Sequence, residues 1–399
     1  MTELQRIEYC KISDYFIKEN GVLLKDVNNS RIFKTDFISA NNFLVEPVIN
    51  KVRVAEPHVT VIESIYNHFR GPCVAITNNG VMICIFGAKT DGSGDFQPAV
   101  GAISRSFDMG LTFETPTMLV DNNHVDERSR AGCDQLLLDK VTNRLFAFGG
   151  SVDNHIEGPI MGVTLDPPYI WDIFYIYSDD DGATWSDKVS LKPVLMTDPL
   201  SNAFQNGASS VGIQLDDGTL VLTVYDIRQS DNLALTGNDW SMRTAMVYST
   251  DHGDTWHRST DLPSITNEAT QDYVDGEIYI TARQYTPPSK RIFKTSDFGE
   301  TWVTSRGDNK LAGFQTQTSS LKVKNTHLFC CPASLTDRTL LMIHTSKKLT
   351  DFMKFLMIDA EPIYGYSSIA HYQNRLFVFY EKWDGMWLAD ISDYLKYID

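Results

Sequence analysis

Arginines, carboxylates and one tyrosine occupy segments of this chain where their chemistries could combine. Arg70 lies in Tyr66-Asn-His-Phe69-Arg70-Gly71-Pro72, Arg283 closes Gly276-Glu-Ile-Tyr-Ile-Thr-Ala-Arg283, and Arg338 follows Cys331-Pro332. A guanidinium is a planar fork that holds a carboxylate through charge-assisted, partly bidentate bonds. Asp91 and Asp95 share the polar loop Thr90-Asp91-Gly-Ser-Gly-Asp95-Phe-Gln after a strand-like run, and an acid on such a loop can deliver a proton. Tyr366 sits in Tyr364-Gly-Tyr366-Ser367-Ser368, ahead of Phe379-Tyr380-Glu381, and Glu268 follows Asn267. With a free pKa of about 10, a tyrosine becomes a nucleophile only beside a base. Each residue alone has a plainer reading. A strand-end arginine is a surface charge or ion pair, a loop aspartate is solvated, and a tyrosine in a β run is core.

A repeated unit must position these groups. Four segments share the pattern Ser/Thr-x-Asp-x-Gly-x-Thr-aromatic: Ser106 to Phe113, Ser178 to Trp185, Ser249 to Trp256 and Thr295 to Trp302. Recurrence of a fixed motif means copies of one structural unit. Asp accepts backbone N–H bonds in a tight turn, Gly supplies positive φ, and the Thr and aromatic return to β geometry. This pattern looks like the Asp-box, and its residues specify fold rather than chemistry. Thr345-Ser346-Lys347-Lys348-Leu349 is at best a remnant of it. Hairpins are predicted around Asn78-Asn79-Gly80, Asp216-Asp217-Gly218, Asp275-Gly276 and Asp384-Gly385, each flanked by apolar β-formers. Helix-period patterns are missing, apart from a possible short one at the start. Repeated hairpins leave a sandwich, a β-helix or a propeller. The motif spacing is too long for a β-helix coil and suits propeller blades of four short strands. Val59-Thr-Val-Ile62 is the expected closing strand of the last blade.

At 399 residues, two or three domains would be usual, but repeat architectures escape that rule because each unit packs on its neighbours. Residues 1–399 are therefore read as one domain, with 1–66 an N-terminal extension that contributes the closing strand. Apolar residues make up 42% and charged residues 22%, and no apolar run is long enough to span a bilayer. The start lacks the basic and apolar regions of a secretory signal, so the expected location is the cytoplasm. Six cysteines show neither CxxC pairs nor metal-ligand spacing, and are expected to be reduced structural thiols. A net charge of −16 argues against nucleic acid or an anionic membrane as partner. An anionic substrate would need a local concentration of arginines.

Taken in order, the Arg70, Asn267-Glu268…Arg283, Arg338, Tyr366-Ser and Tyr380-Glu381 segments resemble those of the sialidases (neuraminidases), over residues 66 to 392. The resemblance implies an all-β fold, a six-bladed β-propeller of four-stranded antiparallel blades. It also implies that Arg70, Arg283 and Arg338 clamp the substrate carboxylate, with Glu381 holding Arg70. Tyr366 is then the nucleophile and Glu268 its base. The spacing of Asp95 before Arg105 matches that of the family's general acid, which favours Asp95 over Asp91. A sialic acid carries its carboxylate on the anomeric carbon, so a neutral tyrosine avoids the repulsion a carboxylate nucleophile would meet, and sialidases are known exceptions that use one. The implied site needs no metal or organic cofactor.

Three positions depart from the family pattern. Gly71 replaces the Ile of Arg-Ile-Pro, which would loosen the backbone beside Arg70. Lys89 stands where a further arginine is common, exchanging a fork for a point charge. Ser129-Arg130-Ala-Gly-Cys133-Asp134 resembles the segment that contacts the N-acyl group, with an extra residue in the segment that leaves the match at Asp134 open. Trp171 either lines that acyl pocket or packs in the core. The expected function is a retaining exo-α-sialidase acting on sialylated glycans. Its rivals on the same scaffold are preference for Kdn or another nonulosonic acid, trans-sialidation, and a glycan-binding propeller without catalysis.

Overall fold

The computed structural model describes residues 16–19, 22–25, 49–62, 65–90, 92, 98–121, 130–152, 171–195, 201–206, 210–228, 241–284, 290–305, 311, 316–334 and 336–399. Antiparallel sheets of four strands form six blades around one axis, a β-propeller. The sheets of blades 1 and 2 are joined by one parallel backbone pair, Ala99 with Arg130, so their strands run on as one sheet. The innermost strands of blades 1, 2, 4, 5 and 6 are His68–Ile76, Arg130–Leu138, Ala269–Val274, Ser319–Val323 and Ser367–Tyr372. In blade 3 that position is divided between Ser201–Asn206 and Ile213–Gln214, both paired with Leu220–Arg228.

The turn residues act as their types require. At Asp275-Gly276 both φ angles are positive, 51° and 85°, and Val274 pairs with Glu277. That is the two-residue turn whose twist matches antiparallel strands. All four Asp-boxes connect the third strand of a blade to its outermost strand. In the second box, Asp180 accepts bonds from Thr184 N at 2.8 Å, Thr184 Oγ1 at 2.6 Å and Ser178 Oγ at 2.8 Å. Trp256 of the third box lies edge-on to Phe148, 5.2 Å away in the neighbouring blade. Thr345-Ser346-Lys347-Lys348-Leu349 occupies the same connection in blade 5, with Leu349 at φ 56° where the four boxes place Met109, Asp181, His252 and Phe298, the residue before the glycine.

Each pair of adjacent blades shares its own apolar cluster, so the core is a ring rather than a single centre. Polar side chains near the axis tie neighbouring blades. Gln135 Nε2 donates to Ser210 Oγ, Thr270 meets Ser320, Gln317 Nε2 donates to Ser367 O, and Ser368 Oγ accepts from Val74 N. Asn50–Ala55 pairs with Gly385–Asp390 and closes the ring by completing blade 6. The closing strand is thus upstream of the expected Val59–Ile62. That segment is consumed by a turn, with Thr60 N bonded to Glu56 O and Ile62 bridging Tyr66, and Val59 is 70% exposed. The short helix considered at the start falls on residues 1–15, outside the described residues.

Among the described residues no helix is long and apolar enough to cross a membrane. No group of three His, Cys, Asp or Glu among them is placed to hold a metal ion. Five cysteines, Cys73, Cys84, Cys133, Cys330 and Cys331, are buried and unbridged, and Cys10 lies outside the described residues.

Candidate active site

Strand direction gathers the chemistry at one end of the ring, opposite the Asp-boxes. Innermost strands begin there, second strands end there and third strands begin there. Glu268 and Tyr366 directly precede the innermost strands of blades 4 and 6, Arg70 lies near the start of that of blade 1, and Asp134 lies midway along that of blade 2. Arg283 ends Glu277–Arg283, Glu381 is near the end of Arg375–Lys382, and Arg338 stands between Thr326–Pro332 and Leu341–Ser346.

The Tyr366 hydroxyl donates to Glu268 Oε1 at 2.5 Å. Arg283 Nη1 donates to Glu268 Oε2 at 2.6 Å and reaches the Tyr366 hydroxyl at 3.3 Å. Two further guanidiniums flank the phenol: Arg70 Cζ is 5.6 Å from its ring centroid and Arg338 Cζ 5.9 Å. Burial, and then the Glu268 charge, push the Tyr366 hydroxyl well above the ordinary tyrosine range, against the pull of Arg283 and Arg70. The resting phenol is therefore neutral, with its proton already directed at a carboxylate oxygen.

Glu381 is fully buried and links blades 6 and 1. Its Oε2 accepts from Arg70 Nε at 3.0 Å and Gly71 N at 2.9 Å, and its Oε1 accepts from Tyr366 N at 3.2 Å. Gly71, at φ 69°, is thereby fixed rather than loosened, because its amide shares the carboxylate oxygen that holds Arg70. An L side chain is strained at that angle. Arg338 Nη1 donates to Tyr364 O at 2.6 Å. A Cβ on Gly365 would lie 2.5 Å from Thr316 Cγ2 and 3.0 Å from Arg338 Cδ, so only glycine lets the chain pass between them.

Asp134 is the extra residue of a β-bulge, since Cys133 pairs with Gly149 and Gln135 with Phe148. A bulge re-aims the side chain it inserts. The Asp134 carboxyl is pushed up to about 6, first by burial and further by Glu268, with Lys89 opposing. Trp171 opens the strand Trp171–Ser178, but its side chain lies outside the described residues, as do Asp91 and Asp95.

Lys290 was not singled out from sequence. It pairs across the sheet with Arg283, is buried, and donates through Nζ to Thr316 O. Burial brings its pKa down to about 8, with the guanidiniums of Arg283 and Arg338 pulling the same way and Glu268 opposing. The available signal was a lysine opposite a candidate arginine in a hairpin, visible only once the register was known.

The family model for the BNR repeat-like domain matches residues 80–378. The chain belongs to the family of BNR repeat-like domains. It is 27% identical over 239 residues to a sialidase of Clostridium perfringens, covering 59% of this chain and 60% of the relative. It thus spans about three-fifths of that relative's length. A Hadza microbial sialidase, Hz136, shares the fold with a TM-score of 0.73 at 22% identity, over 83% of this chain and 67% of the other. A sialidase of Trypanosoma rangeli, solved with the inhibitor DANA, gives 0.72 at 19% identity, over 88% and 60%.

Proposed function

We propose that this chain is a retaining exo-α-sialidase that hydrolyses terminal sialic acid from glycans through a glycosyl-tyrosine intermediate. The observation that carries the reading is the 2.5 Å contact of Tyr366 with Glu268, bridged by Arg283 and flanked by Arg70 and Arg338. A pure binding module has no need of a base held against a neutral phenol between arginines.

Arg70, Arg283 and Arg338 take the substrate carboxylate, which places C2 over Tyr366. The phenol oxygen attacks C2 as its proton passes to Glu268 Oε1, and the bond from C2 to the leaving oxygen breaks. Asp95 supplies the proton that the departing alcohol takes up. Water then attacks C2 with Asp95 as base, the tyrosyl bond breaks, and Glu268 returns the proton to the phenolate. Two displacements give overall retention. The released phenolate is stabilised by Arg283, already within hydrogen-bond reach of the hydroxyl.

The test combines turnover with trapping. Release of sialic acid from 3′-sialyllactose should fall on the order of 1000-fold in Tyr366→Phe. Intact-mass analysis after 2,3-difluorosialic acid should show an adduct on Tyr366 in the parent and none in the variant. A Tyr366→Phe protein that hydrolyses like the parent would refute the assignment.

A further inference from the structure

Trp383 is 61% exposed at the end of the propeller that carries Tyr366, on the turn between Arg375–Lys382 and Gly385–Asp390. Among the described residues it is the only tryptophan so open to solvent. Its ring packs against Tyr364 with centroids 4.4 Å apart, and Arg70 Cζ lies 4.5 Å from the Tyr364 centroid. The backbone oxygen of Tyr364 is held by Arg338. Arginine, tyrosine and tryptophan therefore form one continuous wall from the clamp to the rim.

The wall is rigid. Asp384, next to Trp383, accepts from Arg53 Nη2 at 3.0 Å and Trp387 Nε1 at 3.0 Å. Lys382, on its other side, is bound to Glu361 at 2.7 Å. A tryptophan ring stacked on Tyr364 and open to solvent at the mouth offers an apolar face that a ligand can cover. A fixed aromatic ring loses little entropy when a ligand covers it.

Resting on the sialidase reading, we propose that Trp383 and Tyr364 form the subsite for the sugar on the leaving-group side of the scissile bond. The chemistry of the substrate selects that occupant. In a sialoside the carboxylate and the glycosidic oxygen are bonded to the same carbon, C2, whereas the N-acyl group is on C5 across the ring. A wall that continues outward from the carboxylate clamp therefore meets the leaving group. A hexopyranose has a C–H face that packs on an aromatic ring, while its hydroxyls stay directed to water.

The experiment compares two substrates in the parent, Trp383→Ala and Trp383→Phe. Methyl α-sialoside has an aglycone too small to reach the wall, and 3′-sialyllactose has one that does. In Trp383→Ala, kcat/KM for 3′-sialyllactose should drop by about tenfold, chiefly through KM, with the methyl glycoside unchanged and Trp383→Phe retaining most of the rate. Equal losses on both substrates, or no loss on either, would overturn the subsite while leaving the hydrolase reading intact. If the parent cleaves neither substrate, the hydrolase reading fails and the subsite falls with it.

Discussion

Replacing Glu381 by Gln keeps the shape of the side chain and removes its charge, which makes it a sharp probe of how the site is held. The carboxylate serves three donors: Arg70 Nε and Gly71 N on Oε2, and Tyr366 N on Oε1. A glutamine must turn its NH2 toward one side. Facing Oε2's partners it meets two donors; facing Tyr366 N it meets one, so the second orientation is favoured. One hydrogen bond is then lost to a donor–donor contact, and Arg70 loses its buried counter-charge. Breaking buried pairs costs about 3–5 kcal/mol, and Arg70 is 15% exposed, so a loss of about 3 kcal/mol is expected. The strain falls on the Tyr366 backbone, and a displacement of roughly 1 Å of a reacting group costs on the order of 100-fold in rate. Urea denaturation reads the first quantity, and kcat/KM on 3′-sialyllactose reads the second. A variant with a lowered urea midpoint but kcat/KM within about threefold of the parent would refute the argument that Glu381 positions Arg70 and Tyr366.

Asp134 has its folded pKa raised to about 6, so the folded chain holds that proton more tightly than the unfolded chain does. Parent stability should therefore increase as pH falls from about 6 toward 4, and Asp134→Asn should flatten that window and gain about 2 kcal/mol at pH 7 by urea denaturation; an unchanged pH profile would count against a buried charge there. Lys290 shows the opposite displacement, down to about 8, so the cost of its buried cation is complete below that pH and fades as pH rises toward the unfolded value. Lys290→Met should be more stable than the parent by about 1–2 kcal/mol at pH 7, after the lost bond to Thr316 is counted, with the gap closing in melts at higher pH. Asp180→Ala removes three hydrogen bonds from an exposed Asp-box and should lower stability by roughly 1 kcal/mol, leaving KM unchanged because the box lies at the opposite end of the ring.

Local rules made much of the architecture readable. The Asp-boxes and the hairpins at Asn78-Asn79-Gly80 and Asp275-Gly276 are short-range signals, because a turn needing positive φ selects its own residues. The closing strand was misplaced for the same reason: Val59-Thr-Val-Ile62 has better β-formers than Asn50–Ala55. Pairing with the far end of the chain, 331 residues away at the Arg53–Asp384 bridge, has no local signature. At Gly71 the sequence suggested slack, whereas the buried carboxylate of Glu381 makes that residue a fixed point.

By itself, the sequence determined a chain of repeated β units suited to a propeller, a property that follows from residue type and short spacing. Its resemblance to the sialidases implied which arginines, carboxylates and tyrosine would share a site. Tertiary structure decided which groups touch: Tyr366 on Glu268 from 98 residues away, Arg70 on Glu381 from 311, and Lys290 beside Arg283 in a place no motif indicated. It also stacked Arg70 on Tyr364 and Tyr364 on the exposed ring of Trp383. The physical reason is closure of the ring, which brings the starts of the innermost strands of separate blades to one mouth. Distances across that mouth depend on how whole blades pack, and no stretch of sequence encodes them alone.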